Sequence, residues 1–436
     1  MKLLKKWMAA WLMLSMGFHH TSSVYAQAEP PATSAKSAMI ISGENGQILY
    51  EHEAKVQVEL SDVTKLLSVY LVYQAIDEGK LKSDTPVLIS DKAYAVSQDY
   101  DIPNVPLRQD FDYTVEELLE AVGVTGANGA MIALAEKVAG SEEKFVELMH
   151  AQLQEWHIDE VQLLNATGLT DKYSPTDVDS IAKGKQNRLS GEAVAKIAYH
   201  LYQDYPDYLQ YTKQRKQRFK DKTDDPFDMT NSNTFLESYE AVDGWHIGYS
   251  HKDGASMVAT TNKNNMRTIA VVLGADKPET RYQEAKKLLD YVYAAYSRQT
   301  IVRQGDTVTQ IGQISVANGA SMYAPIQYAE TLHLVVPLTD TTPRYDYTFM
   351  PNATEFNEAQ QLIAPVQQDT TIGSIQVNVK DYPMKFLEDA RANHVNVKVS
   401  EPIEEAAWYT QFWRHTSSAV SQAWEATRKF FTDLFN

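Results

Sequence analysis

The stretch Glu59-Leu60-Ser61-Asp62-Val63-Thr64-Lys65-Leu66 stands between a strand pattern and a helix pattern. Before it, Ala38-Met39-Ile40-Ile41-Ser42 and Gln47-Ile48-Leu49-Tyr50 flank the turn Gly43-Glu44-Asn45-Gly46, which reads as a hairpin. After it, Val63 to Glu78, Thr114 to Val122 and Asn128 to Val138 place apolar residues three and four apart, as helices with one buried face do. Strand patterns return at Ser256 to Thr260 and Arg267 to Leu273, around a turn at Asn262-Lys263-Asn264-Asn265, and a helix from Thr280 to Tyr296 closes the unit. A helical subdomain is thus inserted between early and late strands, and the first domain spans residues 37–298.

From Ile301 to Val399 short β-type runs alternate with Gly, Pro and Asn/Asp turns, which predicts a small all-β sandwich over residues 299–402. In the tail, 403–436, Trp408, Phe412, Trp413, Val420, Trp424 and Phe431 recur at helical spacing. Arg414, Glu425, Arg428 and Lys429 interrupt it too often for a spanning helix, so an amphipathic helix lying in a membrane interface is expected, with packing on the protein body as the alternative.

At the other end, Lys2, Lys5 and Lys6 precede an apolar run from Trp7 to Phe18, and Val24-Tyr25-Ala26 offers a small-x-small cleavage site. The run is short of the roughly 20 residues a spanning helix needs, so residues 1–26 read as an export signal. Residues 27–36, rich in Pro, Ala, Ser and Thr, read as a linker.

The 436 residues suggest two or three domains, and 44% hydrophobic with 22% charged residues supplies material for sizeable cores. Removing the signal with its three lysines takes the formal charge from −17 to −20, a sign that repels phosphate backbones and argues against nucleic acid as a partner. No cysteine is present, so disulfides and thiolate chemistry are excluded, and an exported protein of this kind fits a Gram-positive surface. Lys213 to Lys222, with six basic residues in ten, reads as a solvated hairpin; contact with anionic wall polymers or lipid heads is the alternative.

The Ser61-to-Lys65 region resembles the Ser-x-x-Lys region of penicillin-binding proteins, and in particular the low-molecular-mass D-alanyl-D-alanine carboxypeptidases of the S11 peptidase family. Asn45-Gly46-Gln47-Ile48-Leu49-Tyr50, Ala133-Leu134-Ala135-Glu136, Asn165-Ala166-Thr167-Gly168-Leu169, Asp243-Gly244 with Gly248-Tyr249, and Ile269 to Gly274 carry the same resemblance. It implies an α/β (α+β) serine D,D-peptidase/β-lactamase-like domain, the β-sandwich behind it, and the amphipathic C-terminal helix. It implies no cofactor.

The family's chemistry needs a serine one helical turn before a lysine, so that the amine takes the hydroxyl proton as the oxygen attacks the D-Ala-D-Ala carbonyl. Three residues before Lys65 stands Asp62, which at that spacing is expected to form an ion pair with the lysine. Ser61, one place earlier, is either a shifted nucleophile or a helix cap with Asp62 in the first turn. The family's Ser-x-Asn element falls on Gly126-Ala127-Asn128: the serine position is glycine, Thr125 offers a hydroxyl one place off, and Asn128 is left either to hold a peptide backbone or to cap a helix. Its Lys-Thr-Gly element falls on His246-Ile247-Gly248, where His246 is a weaker, pH-dependent cation, Ile247 donates nothing and Gly248 keeps room for close approach. No ligand cluster surrounds His246 to suggest a metal.

Three substituted elements in one chain imply an impaired carboxypeptidase homologue on the outer face of the cytoplasmic membrane, binding peptidoglycan stem peptides or an envelope protein. The competing readings are an active enzyme using Ser61 and Lys65, or altered chemistry, and a spacer that neither binds nor cleaves.

Overall fold

The computed structural model describes residues 29–173, 185–220, 222–223, 225–338, 342–388 and 392–409. The expected export signal, and the part of the expected amphipathic tail beyond Tyr409, lie outside these residues.

An antiparallel sheet organises the first part of the chain, in the order Ile247–Ser250, Gly254–Lys263, Met266–Ala275, Ser37–Ser42, Ile48–His52, with Val242–Gly244 also paired to Gly254–Lys263. Its central strands are apolar along their length because both faces are covered. Met39, Ile41, Val258, Ile269 and Val271 face the helical subdomain, while Ala38, Ile40, Met257, Ala259 and Ala270 face the closing helix Pro278–Ala295. The two-residue period of a strand divides one sequence run between two cores.

Helix Lys65–Asp77 is buried without interruption from Lys65 to Val72, as a helix surrounded by others must be. Around it lie Val115–Thr125, Asn128–Ala139, Glu142–Glu155 and Gly191–Asp204. Local chemistry fixes their starts: Thr114 and Glu117 form a reciprocal capping box, and Ser141 and Ser190 accept from backbone amides of the first turn.

Several expectations are corrected. The helix expected from Val63 begins at Lys65, preceded by a 3-10 turn over Ser61–Thr64, and neither Ser61 nor Thr64 makes a side-chain cap. The late hairpin turns on Asn264-Asn265 alone, both with positive φ, because a two-residue turn of that hand matches strand twist and asparagine tolerates it. The last stretch of the expected linker is packed: Ala35 is buried, Ser34 donates to Glu284, and Tyr50 donates to the Pro31 carbonyl.

The expected boundary at residue 298 falls inside strand Tyr296–Val302, which pairs with Leu332–Pro337. Beyond it, the sheet Ile326–Tyr328, His394–Val399, Thr371–Val379, Tyr345–Pro351 closes over a third core that includes Val302, Val336, Ile375 and Val397. The two parts are joined by backbone as well as side chains. Gln47 donates to the Val335 carbonyl at 2.7 Å and accepts from its amide at 3.2 Å, and Ile48 and Leu387 amides bond to the Lys385 and Gly46 carbonyls. The basic stretch forms the hairpin Lys216–Phe219 with Phe227–Thr230, with Lys220 paired to Glu117.

Candidate active-site groove

The 3-10 turn that carries Asp62 is set by two glycines and a polar loop. Ser61 adopts φ +48°, and Gly168 lies so near it that a Cβ there would stand 1.8 Å from the Ser61 carbonyl oxygen. Gly168 belongs to a loop organised by Asn165, whose Oδ1 accepts from the amides of Thr167 and Gly168 while its Nδ2 donates to the Leu169 carbonyl. Asn187 ties this loop to the turn, accepting from the Leu164 amide and donating to Thr64 Oγ1 and the Asn165 carbonyl. On the opposite side, a Cβ on Gly248 would fall 2.6 Å from the Leu60 carbonyl and 3.2 Å from the Asp62 amide nitrogen. Only glycine admits that approach.

Within this frame Lys65 Nζ lies 2.5 Å from Asp62 Oδ1 and donates to the Thr167 carbonyl at 3.1 Å. The lysine side chain is wholly buried and that of Asp62 is 13% exposed, so the carboxylate separates the amine from the groove. Burial pushes the Lys65 amine below its ordinary range, against the upward pull of Asp62. Ser61 is buried at the groove wall, and among the described residues Lys65 makes no hydrogen bond to it.

Gly126 ends helix Val115–Thr125 in the left-handed conformation, φ +73°, and a Cβ there would lie 3.6 Å from Asp62 Oδ2. The neighbouring Thr125 hydroxyl is engaged with the Ala121 carbonyl. Asn128 begins the next helix but caps nothing: its Nδ2 donates to the Pro103 carbonyl at 2.8 Å, and its buried Oδ1 has no partner among the described residues.

His246 is buried and lies 2.8 Å from the Tyr208 hydroxyl. Burial, reinforced by the nearby Lys65 charge, pushes its imidazole down to about 3. The expectation of a pH-dependent cation is therefore corrected: the group is neutral at physiological pH. Ile247 and Gly248 line the groove.

The groove is a cavity of about 550 Å³ whose walls include Asp62, Ile102, Pro103, Leu169, Tyr173, Ile247 and Tyr249. A second space of about 20 Å³, lined by Asp62, Gly126, Trp245 and His246, adjoins it and has room for about one water. Asp62 borders both. The turn and strand elements thus bring Ser61, Asp62, Lys65, Gly126, His246, Ile247 and Gly248 to one place, while Asn128 faces the Pro103 loop.

Several residues of the groove escaped sequence reasoning. Arg281, buried on the closing helix, donates to the Gly248 carbonyl at 2.7 Å, and its Nε has no partner among the described residues. Glu59 accepts from Ser250 Oγ at 2.5 Å and lies 3.4 Å from Lys252 Nζ. Nothing local in the sequence marks Arg281, since its helix is periodic only for the core it covers. Among the described residues no group of three His, Asp or Glu is placed to hold a metal ion, and no helix is long and apolar enough to cross a membrane.

A family model described as D-alanyl-D-alanine carboxypeptidase matches residues 24–277. The D-alanyl-D-alanine carboxypeptidase DacF of Bacillus subtilis is 26% identical over 346 residues, 79% of this chain and 81% of that protein. The crystal structure of a peptidoglycan synthesis regulatory factor (PBP3) from Streptococcus pneumoniae is 32% identical with a TM-score of 0.74, covering 86% of this chain and 100% of the other. Penicillin binding protein 5 of Haemophilus influenzae, at 22% identity and a TM-score of 0.67, shares the fold over 86% of this chain. The matched span contains the sheet, the helical subdomain and most of the groove: the chain belongs to the D-alanyl-D-alanine carboxypeptidase family, peptidase S11, of peptidoglycan metabolism.

Proposed function

We propose that this chain is a catalytically impaired member of its family that binds peptidoglycan stem peptides in the groove without cleaving them. The observation that carries the reading is the 2.5 Å contact of Asp62 Oδ1 with Lys65 Nζ, at the spacing where acyl transfer requires a serine hydroxyl. A carboxylate held by the Lys65 amine gives neither a stable acyl ester nor a free base. Ile247 and the neutral His246 remove two further groups that the family's chemistry uses on the substrate carboxylate. Loss of a nucleophile alone lowers turnover about a millionfold, on the order of 8 kcal/mol of barrier. What remains is the shape of the groove, with Tyr173, Tyr249, Arg281 and Lys252 on its walls.

The alternative, attack by Ser61, is disfavoured because its hydroxyl is not hydrogen-bonded to Lys65, and Asp62 already occupies the amine. Export through residues 1–26 and attachment of residues 403–436 to the outer face of the membrane belong to the same proposal, resting on the sequence patterns alone. The test is intact-protein mass spectrometry after incubation with a fluorescent penicillin, beside D-alanine release from a pentapeptide. We expect neither adduct nor product, but saturable binding of the pentapeptide. In Asp62→Ser a penicilloyl adduct should appear slowly, and Ile247→Thr added to it should raise the rate about a hundredfold. A wild-type adduct that disappears in Ser61→Ala would overturn the proposal.

A further inference from the structure

A separate cavity, of about 360 Å³, opens at the turn end of strand Gly254–Lys263. Gly248 of the groove pairs with Ser256, and Asn262 lies six residues further along that strand, about 20 Å away at strand spacing. Four segments build the cavity, and each is tied to a neighbour. Asn262 stands opposite Arg267 in the late hairpin, whose turn carries Asn265. The Gly43 amide bonds to the Arg267 carbonyl at 3.0 Å, and Gln203, near the end of helix Gly191–Asp204, donates to the Gly43 carbonyl at 2.5 Å. Glu44 holds Arg298 of strand Tyr296–Val302 through Nε at 2.6 Å and Nη2 at 2.8 Å. The Arg267 guanidinium lies 5.2 Å from the Tyr202 ring centre.

The charges on these walls are already matched. Glu44 uses both carboxylate oxygens on Arg298, and Arg267 donates to Asp243. An added anion would compete with Glu44 for Arg298, and an added cation would meet Arg267. The amides are not matched in this way. Asn262 and Asn265 are exposed, and among the described residues no hydrogen bond engages their side chains or Gln203 Oε1. A side-chain amide holds a donor and an acceptor at a fixed angle, which suits hydroxyl and acetamido groups. The volume falls at the lower end of the roughly 300–1,000 Å³ typical of small-molecule sites.

We propose that this cavity binds an uncharged saccharide bearing N-acetyl groups, the chemistry of a glycan strand. The amides of Asn262, Asn265 and Gln203 bond its hydroxyl and acetamido groups, and Tyr202 supplies the apolar part of the wall. The site goes beyond the groove reading and stands or falls independently of it. Binding is non-covalent, and no reaction is involved.

The full chain, labelled with nitrogen-15 at asparagine, is titrated with diacetylchitobiose, with cellobiose, which has the same linkage but no acetamido groups, and with inorganic phosphate. Diacetylchitobiose should shift the side-chain amide resonances of Asn262 and Asn265 saturably. Cellobiose should bind about fivefold more weakly, the size of one neutral hydrogen bond, and phosphate should leave both resonances in place. Asn265→Gly, which keeps the positive φ of the turn without strain, and Asn262→Ala should each weaken diacetylchitobiose about fivefold or more at an unchanged denaturation midpoint. Saturating pentapeptide should not displace the saccharide. The proposal is overturned by the absence of a saturable shift, by unchanged affinity in both variants, or by phosphate binding in preference to the saccharide. Displacement by pentapeptide would put the saccharide in the groove and overturn it equally, while leaving the groove reading intact.

Discussion

The groove floor and the Asn165–Leu169 loop are both polar, both buried and in direct contact, yet they are built differently. In the loop nearly every group meets a partner: Asn165 serves three backbone positions, Asn187 three more, Ser68 donates to the Ala166 carbonyl, and Glu142 accepts from the Ala166 amide. On the floor, by contrast, Asp62 uses one oxygen, Arg281 Nε has no partner among the described residues, and His246 is held neutral. The loop is the scaffold that holds the turn in place, whereas the floor leaves polar groups without partners among the described residues.

The comparison is broken most severely at Gly168. Gly168→Ala combines a φ of +82° with a Cβ 1.8 Å from the Ser61 carbonyl, so the loop and the turn cannot both stay in place. A loss of at least about 4 kcal/mol, or no folded protein, is expected from urea denaturation. A variant as stable as the wild type would show that the loop does not fix the turn.

On the floor a smaller cost is expected, and a recoverable one. Asp62→Asn leaves the wholly buried Lys65 amine without its counter-ion, at about 3 kcal/mol. Asp62→Asn with Lys65→Met should regain most of that loss in the same denaturation experiment, because a paired charge and no charge are both tolerated in a protein interior. If the double variant is as unstable as the single one, the pair has a structural role beyond neutralising itself.

The pH dependence of stability sharpens the contrast further. His246 has a folded-state value of about 3 against an ordinary 6.5, so the unfolded chain binds the proton more readily. This contribution is fully present above about pH 6.5 and is lost as pH falls towards 3. His246→Gln should therefore flatten the fall in denaturation midpoint between pH 7 and pH 4 relative to the wild type, by an amount on the order of a few kcal/mol at most. Parallel pH profiles would mean that the imidazole is not buried as described.

Much of this was legible in the chain, but unevenly. The fold class followed from the resemblance to the S11 family, and the order of elements from local signals: the Gly43–Gly46 reversal, the three- and four-residue spacing after Val63, the apolar runs at Ser256 and Arg267. The Asp62–Lys65 pair also followed from spacing, since residues three apart share a helical face. Boundaries were less legible. The helix pattern stops near residue 298, whereas strand Tyr296–Val302 runs straight on, paired to residues thirty or more positions away. Strand pairing of that kind leaves no local mark.

By itself, the sequence determined which residues stand at the spaced positions of the family resemblance: Asp62 three before Lys65, Gly126 two before Asn128, and Ile247 just before Gly248. Residue identity at a spaced motif is enough to decide which atoms are present. Only the tertiary structure decided their state: that Asp62 shields Lys65 from the groove, that Thr125 bonds back to the Ala121 carbonyl and Asn128 across to that of Pro103, that His246 is neutral, and that Arg281 arrives from the last helix of the unit. Charge state and orientation depend on burial and on partners distant in the chain, and both are fixed only when separate segments pack together.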